Sequence, residues 1–82
     1  MVAHLYNKEV AKAIREVKRP CEFSLDVVAY PEFLTLRVKE AEIMAMNDMN
    51  QLNVMEYLQK VRLIVESFGI RCELEGIRYR GR

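Results

Sequence analysis

The sequence predicts an α+β fold of the two-layer sandwich type, with two helices on one face of a mainly antiparallel sheet of three to four strands. Three observations carry this expectation. Apolar residues recur at helical spacing over residues 8–19, they recur so again over 52–68, and between these stretches the period drops to two on both sides of Pro31-Glu32.

The first helix begins after Asn7, a side chain suited to an N-cap, and runs over residues 8–19. Val10, Ala13, Ile14 and Val17 share one stripe, while Lys8, Lys12, Arg15 and Glu16 fall elsewhere. Lys18 and Arg19 occupy its last turn, where cations suit the helix dipole, and Pro20 cannot continue the hydrogen-bond ladder. From residue 22 onward Phe23, Leu25, Val27 and Ala29 alternate with Ser24, Asp26 and Val28, as in a strand with one buried face. After the Pro31-Glu32 turn, Leu34, Leu36 and Val38 do the same. A hairpin centred on that turn sets Ala29 opposite Leu34, Val27 opposite Leu36 and Leu25 opposite Val38, and on the other side Asp26 opposite Arg37. One register thus satisfies both the apolar face and the charges.

Beyond Val38 the apolar phase slips by one residue to Ala41, Ile43 and Ala45, and residues 39–46 read as a continuation of the extended chain after a bulge. Asn47-Asp48 breaks that pattern, and Asp48 with Gln51, or Asn53 with Glu56, resembles a capping box opening the second helix. Leu52, Met55, Leu58, Val61, Ile64, Val65 and Phe68 form its apolar stripe, and Gly69 supplies the left-handed stop. Ile70, Cys72 and Leu74 then alternate with charged residues as a last strand, until Gly76 shifts the phase toward Ile77 and Tyr79. The handedness of the crossover made by the second helix suggests the strand order second, first, last, which leaves the long second strand at an edge.

Length and composition fit one folded domain over residues 1–82, with a loosely ordered start at 1–6 and a basic tail at 78–82. The chain has 82 residues, 51% of them hydrophobic and 30% charged, enough for a single core and no more. Thirteen basic against twelve acidic residues leave a net charge of +1, far from the excess of a dedicated phosphate-backbone binder. No apolar run is long enough for a membrane span or a secretory signal, so the expected setting is cytoplasmic, away from the membrane. Cys21 and Cys72 are too few for a disulfide framework or a four-thiolate metal site and read as reduced, partly buried thiols.

No catalytic set emerges. His4 is the only histidine and has no positioned partner in sequence. The three glycines, Gly69, Gly76 and Gly81, form neither a phosphate loop nor a nucleophile elbow. Glu40 and Glu42, and likewise Glu73 and Glu75, point the same way along an extended chain, a spacing most often found on a solvated strand face. No cofactor or metal is expected. Two contact surfaces remain. Met44, Met46, Met49 and Met55 are adaptable apolar side chains of the kind over-used at binding surfaces, although methionine also fills cores. The tail carries Arg78, Tyr79, Arg80 and Arg82, which with Lys12, Arg15, Lys18 and Arg19 of the first helix could contact phosphates and stack on bases.

The leading functional expectation is a non-enzymatic protein-interaction or regulatory domain that works through a strand edge and the methionine surface as a homodimer. The alternative is a nucleic-acid-binding accessory protein using the first helix and the arginine tail.

Overall fold

The computed structural model of the chain describes residues 6–76. His4, the extension of the last strand to Ile77 and Tyr79, and the tail residues Arg78, Arg80 and Arg82 lie outside them. The described residues fold as an α+β two-layer sandwich of three helices and a three-stranded mixed sheet.

Asn7 opens α1 (Lys8–Arg15): its backbone is extended, and its side-chain oxygen accepts the Val10 N–H at 3.0 Å. Val10 and Ile14, one turn apart, are the buried residues of this helix. The helix is shorter than its periodicity predicts. The Val17 N–H turns to the Ile14 carbonyl at 3.2 Å, and Lys18 and Arg19 lie beyond the last turn instead of within it. Pro20 bars helical backbone at Arg19, the residue before it, but the stop at Arg15 falls four residues earlier. Arg19 is held where it emerges: its guanidinium donates to the Phe23 carbonyl at 2.6 Å and lies 5.0 Å from the centre of the Phe23 ring.

The hairpin forms in the expected register. Strand β1 (Leu25–Ala29) runs antiparallel to β2 (Phe33–Val38), with Leu25 opposite Val38, Asp26 opposite Arg37, Val27 opposite Leu36 and Ala29 opposite Leu34. The Tyr30 N–H closes the Pro31-Glu32 turn on the Phe33 carbonyl at 2.8 Å. Leu34, Leu36 and Val38 are buried under the helices, whereas Phe33 and Arg37 point to the opposite, helix-free face.

Residues 39–46 are not a strand. They contain a short helix, α2 (Glu40–Met44), entered from an extended Lys39. The alternation that suggested extension rested on Ala41 and Ala45, and both are exposed, so only Ile43 is buried in this segment's core-facing position. One turn of helix also aims the Glu42 carboxylate at Ser24, from which it accepts the backbone N–H at 2.7 Å and the hydroxyl at 3.1 Å. That contact ties the exit of β2 to the entry of β1.

Helix α3 (Asp48–Ser67) is capped by Asn47, whose side chain accepts the Asn50 N–H at 2.7 Å, one residue before Asp48 and six before Asn53, the two capping-box candidates. Its buried residues are Val54, Tyr57, Leu58, Val61 and Val65. The stripe is therefore rotated from the expected one: Val54 and Tyr57 enter the core, while Leu52 is 60% exposed and Phe68 is exposed beyond the helix end. Tyr57 is drawn inward by an edge-to-face contact with Phe23, with ring centres 5.7 Å apart.

After Gly69, whose φ of 81° is a left-handed helix stop, β3 (Arg71–Glu75) pairs parallel to β2, setting Cys72 against Leu34 and Leu74 against Leu36. The strand order is β1-β2-β3, which corrects the expected order of second, first, last. The second strand is central and not an edge because it is the one that needs cover on both flanks: Leu34 and Leu36 are fully buried and even the outward Thr35 is nearly so. Half of the strand pairing is thus parallel, not mainly antiparallel. At the end of β3, Gly76 has a φ of 93°, and a Cβ there would collide with the Val38 carbonyl.

The rotated stripe has a measurable consequence. Leu58→Ala is expected to cost about 2–5 kcal/mol, as a fully buried leucine does, whereas Leu52→Ala is expected to stay within about 0.5 kcal/mol of the parent. Urea midpoints of the two variants check this, and equal losses would contradict the packing of α3.

Candidate partner-binding surface

Since β2 takes the centre of the sheet, β1 becomes an edge strand: among the described residues nothing pairs with its outer side. Its helix-facing side chains, Leu25 and Val27, are only half-buried, because α1 is short and packs on α3. A groove of about 380 Å³ results beside this edge. Ile14, Val17, Leu25, Val27 and Tyr57 form its apolar lining, Arg15, Lys18 and Arg19 its rim, and among the described residues no carboxylate lines it. Lys18 and Arg19 reach this rim from the segment beyond the end of α1.

Arg19 also borders two neighbouring hollows. One, of about 380 Å³, lies toward Lys60 and Glu56 of α3. The other, of about 710 Å³, is open and runs past Cys21 and Phe23 to Glu42. Of the cations singled out from sequence, Arg15, Lys18 and Arg19 come together at the groove, whereas Lys12 is exposed on α1 away from its lining. Arg78, Tyr79, Arg80 and Arg82 lie outside the described residues.

The four methionines differ in exposure. Met44 ends α2 and is exposed, Met46 is half-buried and packs against the core, Met49 is exposed in the first turn of α3, and Met55 is half-buried. Met49 and Met55 are six residues apart on a helix, about 120° around its axis, so they face different directions.

The paired carboxylates are engaged structurally. Glu42 holds Ser24, Glu73 pairs with Arg71, and Glu75 lies 3.3 Å from Arg37 across the open face of the sheet. On the same face Tyr30 stacks on Phe33 at 4.8 Å, and the Arg71 guanidinium lies 5.3 Å from the Phe33 ring centre. This platform was not read from sequence, although Tyr30 and Phe33 flank the turn whose register was. Among the described residues no three of His, Cys, Asp and Glu stand together as a metal site would require, and no helix is long and apolar enough to cross a membrane. Both cysteines are free thiols; burial pushes the Cys72 thiol up to about 11, and nearby Glu66 adds to the effect, so it stays protonated at neutral pH.

Comparisons with protein-family models, with curated proteins and with solved structures found no match to this chain.

The Ser24 N–H bond holds the Glu42 carboxyl below its ordinary value of 4.5. Folding is therefore favoured by this contact above that value, and the contribution is lost as pH falls through the lower, folded-state value. Glu42→Gln is expected to be less stable than the parent at pH 7, with the gap closing as the pH drops below 4.5. Thermal midpoints across that range check this; a gap that does not change with pH would contradict it.

Proposed function

We propose that this chain is a non-enzymatic protein-interaction domain that accepts an extended, acidic segment of a partner protein along the free edge of β1. The groove between α1 and β1 carries the reading. An extended segment added to an edge strand gains main-chain hydrogen bonds, while its alternate side chains enter whatever pockets lie beside that edge. Here the side chains on one face of the added segment would meet Leu25, Val27 and Tyr57, and carboxylates on its rim side would meet Arg15 and Lys18. The two unpaired thiols fit a reducing, cytoplasmic setting for such an exchange of partners.

The basic rim alone would also suit a nucleic acid, the second reading from sequence. The apolar floor favours the peptide, since phosphate contacts need cations and gain nothing from buried leucine and valine side chains.

A fluorescein-labelled peptide of alternating valine and glutamate is expected to bind, to shift the β1 amide signals, and to bind at least about tenfold more weakly to Arg15→Glu/Lys18→Glu. Both replaced residues are exposed, so the thermal midpoint is expected to hold. Equal binding of the valine–lysine counterpart, or shifts confined to other elements, would refute the reading. Tight binding of single-stranded oligonucleotide with a steep salt dependence, and none of the peptide, would transfer the groove to nucleic acid.

A further inference from the structure

The outward face of α3 is the second surface, and it stands independently of the groove. Opposite the buried stripe, Met49, Leu52, Glu56, Gln59 and Leu63 follow one another at alternating spacings of three and four, the seam of a paired helix. Met49 is 65% exposed, and Leu52 and Leu63 are each 60% exposed, although a large apolar residue on a helix ordinarily turns inward.

The pattern is self-complementary when the helix is set against a second copy running the other way. Positions 52 and 63, and positions 56 and 59, are centred on the same point, between residues 57 and 58. A two-fold axis through that point brings Leu52 of each copy to Leu63 of the other, about 16 Å apart along the helix at just over three turns. Between these apolar ends, Glu56 of each copy meets Gln59 and the adjoining Lys60 of the other. Glu56 and Lys60 are one turn apart within the helix, yet among the described residues neither has an ionic partner, while the neighbouring Arg62 is paired with Glu66 at 3.8 Å. A face that matches itself in both apolar spacing and charge closes as an isologous pair and leaves no open end for further growth.

We infer that the protein forms a two-fold homodimer through antiparallel packing of α3 against α3, with Leu52 and Leu63 as its apolar contacts and Glu56–Lys60 pairs setting its register. One helix pair buries less than the roughly 1,200 Å² of a standard interface, so the association is concentration-dependent and weak.

Sedimentation equilibrium of the full chain from about 10 µM to about 1 mM is expected to move from the mass of one 9.7 kDa chain toward two. Leu52→Asp and Leu63→Asp are expected to remain single chains at every concentration with unchanged thermal midpoints. Glu56→Lys and Lys60→Glu are each expected to weaken the dimer about five- to tenfold, and the double reversal to restore it, because two-fold symmetry re-forms both pairs. A parent protein that stays monomeric throughout, or a dimer that survives either aspartate variant, would overturn the interface. A double reversal that fails to recover would overturn the register.

Discussion

Strand β2 is flanked on both edges and roofed by helices, and the rest of the molecule is arranged to keep it so. Leu34 lies between Ala29 and Cys72, Leu36 between Val27 and Leu74, and both leucines are fully buried. Each contributes about 2–3 kcal/mol by leaving water, and neither neighbouring strand carries so continuous an apolar face. Covering β2 on its second edge needs a strand delivered parallel to it, and a parallel neighbour needs a crossover. Helix α3 is that crossover, with α2 turning the chain into it.

Where the roof falls short, the surface is left unfinished. Helix α3 lies over the β3 side of the sheet and α1 packs on α3, so the cover thins toward β1. Leu25 and Val27 stay half-exposed beneath a rim of cations, two of which, Lys18 and Arg19, lie beyond the end of α1. The apolar floor and the basic rim of the groove therefore share an origin in the short first helix. On the opposite face of the sheet, by contrast, Arg37 pairs with Glu75, Arg71 with Glu73, and Tyr30 stacks on Phe33.

A chain of this size buries a limited fraction of its surface, and α3 shows how that limit is felt. Its inner stripe is complete in Val54, Tyr57, Leu58, Val61 and Val65, and there is no second layer to cover Leu52 and Leu63 on its outside. The groove beside β1 and the outer side of α3 adjoin through the hollow that Lys18, Arg19, Glu56 and Lys60 line together.

Local chemistry made much of this legible in the amino-acid order. The Asn7 cap, the turn at Pro31-Glu32, every pair of the β1–β2 register and the stop at Gly69 depend on neighbours in sequence or on one short hairpin, where side-chain type and spacing leave few alternatives. Three decisions were made elsewhere. Residues 39–46 contain a helix in which Glu42 accepts from Ser24, a partner far away in sequence, and their exposed alanines carry no facial preference. The rotation of α3 places Val54, Leu58, Val61 and Val65 in the core and Tyr57 against Phe23, a contact between segments far apart in the chain. The strand order was set by which strand most needed two neighbours, and that is a comparison among all three. The candidate groove followed from the last of these, for Leu25, Val27, Arg15 and Lys18 are individually visible in the sequence, but only the packed sheet decides that β1 is the edge they share.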